Sequence, residues 1–530
     1  MPGLRRPKLL WHTIKHLKFV QVTNRVHRRY ATIKPLPANN RVDIRLQSGN
    51  WTGSISRAQS VFENDTYCFL NAPMVLEGPT DWNSPNISKL GLYNLHYHDG
   101  LLCAETDELL KRRHLDRWID ENPFGVGNGW EPYPASLRIV NWIKWLQAGS
   151  KPVDGMIVSM CQQLHALSKS IEFHLLGNHL FANAKALVFG GLFFDGQQAN
   201  RWLTMGLKIL EQQVPEQFLE DGGHFELSTT YHATLSEDLL DLINILRTYG
   251  RSDEANRLIP VASKAIEWLS IMTRPDGLPP LFNDAAYAFS PTLNDLQEYA
   301  VRLGLSITTL RPEALNQLPQ SGYYRYSAPQ YSMWCDAGQI GPDYIPGHAH
   351  CDMMNFELFA HGKPMIVDSG ISTYEVCERR LLERATKSHN TVQFAELEQS
   401  EIWAAFRVAR RAKIVDREVS SQSLAATMVN YNRAYQHHRK FSFSETSISI
   451  KDGVTAKKAA TATARFHFHP NVRLEQNGRK IVADDLTLSF KGASNVDLTS
   501  YNYAPEFNKT LPAQCVEVEF NRDLETHITL

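Results

Sequence analysis

The period of the apolar residues limits the folds open to this chain: residues 31–90 are mixed, with short alternating pieces; from about residue 93 apolar side chains recur at helical spacing; beyond about residue 312 they alternate. Thr106 to Ile119 reads as a helix, with Leu109, Leu110, Leu115 and Ile119 apolar among charges. Ser136 to Leu146, Met156 to Leu176, Phe181 to Phe194, Arg201 to Gln213, Thr234 to Tyr249 and Asp253 to Met272 continue the series. Consecutive helices bury their stripes against neighbours, so the array closes into a ring or stacks. From Tyr323 onward, Tyr323–Tyr326, Tyr331–Cys335, Phe406–Val415, Phe441–Ile450, Thr463–His469, Ile481–Phe490 and Val516–Phe520 read as strands between turns such as Asp452-Gly453. An antiparallel sandwich accommodates them most simply. The expected fold class is thus α + β and multidomain. Its parts are an N-terminal arm with a small mixed segment (1–90), a helical domain (91–315) and an antiparallel β-sandwich domain (316–530).

The formal net charge of -1 supplies no global field for nucleic acid or an anionic membrane, so an acidic ligand needs a local basic cleft. The seven cysteines are odd in number and scattered, without a Cys-x-x-Cys, which argues for reduced thiols. Met1 to Tyr30 is basic but has no uninterrupted apolar core and no small-residue cleavage site, a poor match to a signal peptide. That points to the cytoplasm. Leu9 to Val26 reads either as a solvated arm or as a basic amphipathic helix that touches a membrane surface. No run approaches transmembrane length.

The densest cluster of chemistry lies between Gly347 and Asn390. It opens Gly347-His348-Ala349-His350-Cys351-Asp352, passes the apolar strand Met365-Ile366-Val367 to Asp368, and closes on Ser388-His389-Asn390. Two His at i, i+2 share one face of a strand. Asp368 ends a strand and His389 precedes another, so adjacent strands can bring His350, Asp368 and His389 to one point. Imidazole and carboxylate are donors suited to zinc. A metal-dependent hydrolase is a rival reading of His348-Ala349-His350-Cys351-Asp352, but Met353 stands where its motif needs a further His.

In the helical half, Trp130 and Tyr133 follow a glycine-rich turn and can stack on sugar rings. Arg138, on the next helix, can hold a carboxylate or sulfate. The plainer alternative is that the aromatics pack helix ends and Arg138 makes an internal ion pair. Asn178-His179 opens an apolar helix and faces a cleft, or else Asn178 is only an N-cap. Glu226 precedes Tyr231-His232 at a loop before the next helix. Asn283-Asp284 reads as a structural loop pair.

Taken as an ordered set, Asn178-His179, Glu226 with Tyr231-His232, Gly347-His348-Ala349-His350, Asp368-Ser369-Gly370 and Ser388-His389-Asn390 resemble the heparinase II/III-like polysaccharide lyases. The stretches Tyr93–Asp99 and Trp130–Trp145 look like the branch associated with bacterial exopolysaccharide genes. The resemblance implies a helical (α/α) toroid followed by an antiparallel β-sandwich, with the cleft between them. It implies β-elimination at a 4-linked uronic acid. Asn178, with His179, would neutralise the substrate carboxylate; Tyr231 would be the acid; His348, or Tyr231 itself, would be the base. Trp130, Tyr133, Arg138 and Glu226 would bind substrate. It also implies a structural zinc on His350, Asp368 and His389, with Asp352 beside it. These lyases are usually exported, which makes the periplasm the alternative to the cytoplasm. The expected partner is an acidic polysaccharide or oligosaccharide, not nucleic acid, and a homodimer stays open. Two other readings remain beside the lyase: a non-catalytic polysaccharide-binding or assembly protein on the same fold, and the metal-dependent hydrolase.

Overall fold

A computed structural model describes residues 5–37, 42–307 and 314–530. Helices dominate up to Arg302, and strands from Leu315 onward. The helical half is a toroid whose most buried member is Gly177–Phe193. It packs against Pro132–Gln147, Gln197–Gln217 and Thr229–Thr248. Apolar all round, that helix can sit nowhere but in the middle of the domain.

The helix ends depart from the periodic reading where capping chemistry intervenes. Met156–Lys169 stops well before Leu176, because Ser170 at its C-cap leaves the helical region, at φ -128° and ψ 24°. Pro132–Gln147 starts early, on a proline at its first position. Thr229–Thr248 begins a full turn before Thr234, capped by the Ser228 hydroxyl, which accepts from the Tyr231 N–H. Tyr231 and His232 therefore lie inside that helix. Asn178 is likewise inside its helix, with Leu176 at the N-cap position.

The second half holds two large antiparallel sheets and a two-stranded one, Ile402–Trp403 with Arg407–Val408. The first is a five-stranded meander, Leu315–Leu318, Tyr323–Ser327, Tyr331–Asp336, Phe356–Ala360 and Lys363–Ile366. The second has ten strands, including the long pair Leu486–Glu506 and Lys509–Thr529. Tyr326 stacks on Phe443 with ring centroids 4.4 Å apart, so the meander covers the larger sheet. Its other face meets the toroid: the Trp334 indole donates to Ile271 O at 2.9 Å, and Arg274 pairs with the Glu357 carboxylate at 3.1 Å. That double cover explains why Tyr331–Asp336 and Phe356–Ala360 are buried at every position.

The N-terminal segment is not a free arm. Arg5–Ile14 and Phe19–Tyr30 are helices lying across both halves. Gln21 donates to Tyr344 O at 3.2 Å, the Trp403 indole donates to Thr13 Oγ1 at 3.0 Å, and Arg28 donates to Ser170 O at 2.9 Å. Among the described residues no helix is long and apolar enough to cross a membrane.

Three imidazoles are locked neutral in the toroid core. Burial, aided by Arg138, pushes His96 down to about 3; burial, aided by Arg117, takes His114 to about 3; burial takes His232 to about 3. An unfolded histidine titrates near 6.5. Between those values the unfolded chain takes up protons that the folded chain refuses. Stability is therefore full above about pH 6.5 and drains as pH falls toward 3. Thermal melts followed by circular dichroism are expected to show Tm falling steadily from about pH 7 to pH 4; a flat Tm over that span would contradict this account.

Candidate active site

Toroid and sandwich face each other across a cavity of about 970 Å³, large enough for several sugar units. Asn178, His179, Tyr231 and His348 all line it. Three come from helix starts of the toroid and the fourth from a loop of the sandwich half, so the site exists only when the two are closed on each other. Tyr231 and His348 lie against each other with their rings tilted by 34° and centroids 3.9 Å apart. The Tyr231 hydroxyl is 3.2 Å from that of Tyr374. Burial, reinforced by Tyr374, raises the Tyr231 pKa far above its usual value, so the phenol keeps its proton.

Glu226 ties the two halves of the site together. Its carboxylate accepts from the Asn178 backbone N–H at 2.9 Å and from Asn178 Nδ2 at 2.9 Å, and its Oε2 lies 3.3 Å from His348 Nε2. The approach needs Gly177. A Cβ there would stand 2.5 Å from Glu226 Oε1, and the residue already holds φ 54°. His179 lies 4.3 Å, centroid to centroid, from Tyr133, and its Nδ1 is 3.2 Å from Glu172 Oε2. Burial alone would lower its pKa; Glu172 more than offsets that, and the net shift is upward.

The residue that organises this site is one the sequence reading set aside. Asp284 is fully buried. Its Oδ2 is 2.9 Å from His348 Nδ1 and its Oδ1 is 2.8 Å from His350 Nε2, while Arg380 grips both oxygens at 2.5 and 2.7 Å. Burial opposes its charge, yet Arg380 and the two imidazoles hold the carboxyl well below the usual carboxylate range. Asp284 thus sets the orientation of His348 and the tautomer of His350. Tyr374, Phe406 and Arg380 were also missed. Only Asn283-Asp284, a polar pair after a proline-rich loop, left any trace in the sequence.

Other expected contacts fall differently. Tyr133 lines the cavity, but Trp130 does not: it packs on Phe124, and its indole donates to Asn122 O at 3.2 Å. Arg138 is a correction. It is wholly buried, donating to Gln163 Oε1, His96 O and Gly129 O, with its guanidinium 3.8 Å from the Trp118 ring centre. No carboxylate partners it, so neither a substrate contact nor an ion pair describes it. Its charge is spent on carbonyls that hold the Tyr93–Asp99 and Trp130 segments together. Glu226 lies behind the cavity wall, touching Asn178 and His348 instead of a ligand.

His350, Asp368 and His389 are neighbours. The two imidazole centroids are 5.3 Å apart, and His389 Nδ1 is 2.7 Å from Asp368 Oδ2. His350 Nδ1 and His389 Nε2 are buried with no hydrogen-bond partner. Asp368 is already engaged, since its Oδ2 also accepts from Asn355 and its Oδ1 from the Gly370 N–H. Among the described residues no three His, Cys, Asp or Glu side chains converge at ion-holding distance. The donor chemistry suits zinc in its two free nitrogens; the carboxylate would have to give up one partner to join them.

A helical toroid is followed by an antiparallel sandwich, with the cleft at their junction. Two family models match in chain order: Heparinase II/III N-terminus over residues 153–302 and Heparinase II/III-like, C-terminal over residues 310–529. The chain belongs to the heparinase II/III-like family. A heparin-sulfate lyase of Bacteroides stercoris is 29% identical over 252 residues, covering 43% of this chain and 37% of that protein. One from Bacteroides thetaiotaomicron is 23% identical over 335 residues, covering 53% and 47%. The chain thus spans less than half the length of these curated relatives. A solved structure of heparinase III superposes with a TM-score of 0.70 at 18% identity, over 84% of this chain and 78% of that one, a likeness of fold.

Removing the Asp284 carboxylate leaves Arg380 buried without its partner. Asp284→Ala is expected to cost about 3–5 kcal/mol in urea unfolding, against under about 1 kcal/mol for the exposed control Asp416→Ala; a loss no larger than the control's would sink the central role given to Asp284.

Proposed function

We propose that the chain is a polysaccharide lyase that cleaves a 4-linked, uronic-acid-containing acidic polysaccharide, glycosaminoglycan-like or a bacterial exopolysaccharide, by β-elimination. The observation that carries this reading is the contact of Tyr231 with His348, ring centroids 3.9 Å apart, an acid and a base from opposite halves inside one cavity with Asn178 and His179. The curated relatives named as heparin-sulfate lyases support the same class.

The proton on C5 of a uronate is removable only if the adjacent carboxylate is neutralised. The His179 imidazole, kept protonated to higher pH by Glu172, supplies that neutralisation, and the Asn178 amide, whose Nδ2 rests on Glu226 in this structure, would turn to the substrate to join it. His348 takes the C5 proton. The electron pair forms the C4–C5 double bond, the C4–oxygen bond breaks, and the departing glycosidic oxygen takes the Tyr231 proton. Burial suits Tyr231 to this donor role, since it disfavours the phenolate. For a proton and leaving group on one sugar face, Tyr231 would have to start as the phenolate, which its burial disfavours, so this reading takes His348 as the base. Tyr133, stacked near His179, lines the sugar path.

Zinc is part of the proposal, held by the nitrogens of His350 and His389 with the Asp368 carboxylate. Bound there it would tie the His348–His350 loop to the Asp368 and His389 segments, and no proton passes through it. Elemental analysis of the purified protein is expected to find one zinc per chain, with chelation lowering Tm. Metal-free protein that melts unchanged after zinc is added would remove the metal from the reading.

The reaction makes an unsaturated uronate that absorbs in the ultraviolet. Incubation with heparan sulfate, chondroitin, hyaluronan, alginate and acidic exopolysaccharide is expected to raise that absorbance on at least one polymer. Tyr231→Phe should lower kcat about a thousandfold with the fold intact. Saturated products, or binding without turnover on every polymer, would replace the lyase by a hydrolase or a binding protein.

A further inference from the structure

The helix Phe19–Tyr30 is mounted the wrong way round for a soluble protein. The side it turns to the body of the molecule is polar. Gln21 is buried and donates to Tyr344 O, Asn24 Oδ1 accepts from the His174 N–H at 3.1 Å, and Arg28 donates to Ser170 O. Those three positions follow the i, i+3, i+7 rule of one helical face. The opposite face carries Phe19, Val22, Val26 and Tyr30, also at helical spacing. They are 82%, 46%, 58% and 78% exposed. Trp11, on the preceding helix Arg5–Ile14, is 61% exposed. An apolar stripe of this size at the surface marks a contact with something else.

Charge says what that something is. The chain as a whole is near neutral, yet it has no Asp or Glu before Asp43; Lys8, Lys15 and Arg29 are exposed on the same segment, while Lys18 is paired with Glu216 and Arg25 lines the cleft. Apolar residues with aromatic ends, flanked by cations and lying along the surface, are the features of a helix that rests in the headgroup layer of an anionic membrane. A soluble polyanion would engage the cations but has no use for Phe19, Val22 and Val26. A second copy of this chain would bring the same cations against themselves and be repelled.

We propose that the outer face of Phe19–Tyr30, with Trp11, docks the protein on an anionic lipid surface. The same helix lines the cleft with Gln21 and Arg25, and the loop before it with Leu17. Docking therefore holds one wall of the cleft against the membrane, and an acidic polymer would reach the cleft at the lipid surface. The proposal stands independently of the lyase reading.

The test is co-sedimentation of the full chain with phosphatidylcholine vesicles, with and without phosphatidylglycerol. The expected result is capture by the anionic vesicles alone, weakened by added salt. Phe19→Glu/Val26→Glu, which touches no cleft residue, is expected to weaken binding at least about tenfold, and Lys15→Glu/Arg29→Glu to do the same with the apolar stripe intact. Both variants should melt at the wild-type temperature, which separates lost docking from lost folding. No capture of the wild type by either vesicle overturns the proposal, as does equal capture of the Phe19→Glu/Val26→Glu variant. So does a wild-type dimer in analytical ultracentrifugation that this variant dissociates, or capture by a soluble polyanion such as dextran sulfate with none by vesicles.

Discussion

One buried carboxylate holds the two halves of this protein in register. Asp284 sits on a toroid-side loop and is closed on by Arg380, His348 and His350, all from the sandwich half. A lone carboxylate in that position would be costly; bound to a guanidinium and two imidazoles it is stable and directional. It governs the sandwich side of the cleft, while Asn178 and His179 are held on the toroid side by Glu226 and Glu172. The orientation of His348 sets its approach to Tyr231, and the tautomer of His350 leaves Nδ1 free.

The five-stranded meander makes that arrangement rigid. Covered by helices on one face and by the larger sheet on the other, it cannot slide without exposing apolar side chains on both. It carries the chain into Gly347–Asn355 and out of Asp368, so its two open ends deliver His348, His350 and Asp368 to the same edge. Backbone strain gathers at this edge and across from it. Leu176, Leu227, Asn283 and Met354 all hold positive φ, between 57° and 66°, without being glycine. Such conformations persist only where packing over-determines them, which is what a pre-organised site requires.

The alternation of apolar residues made both halves and most helices legible, because burial on one side of a helix or strand imprints its period directly on the chain. Helix starts were less legible. Ser228 and Pro132 extend their helices by a turn through capping and proline geometry that periodicity does not register. Arg138 shows the opposite failure. An arginine beside aromatic residues reads as a ligand contact, yet here its donors are consumed by the carbonyls of Gly129, in the loop just before its helix, and of His96, 42 residues back. Glu226 was legible as a polar residue near the site, but its place behind Asn178 depends on the missing side chain of Gly177.

What the sequence by itself determined is the order of architectures and the residue types able to move a proton, hold a carboxylate or bind a metal. Period and side-chain chemistry are local properties, written residue by residue. What only the tertiary structure decided is which of those groups meet: that Asp284 serves two histidines, that Arg380 balances it, that Arg138 is spent inside the toroid, and that Phe19–Tyr30 turns its apolar face outward. Each of these is a contact between segments distant along the chain. Such contacts depend on the closure of two domains and on which face of an element finds a partner, and neither leaves a period in the sequence.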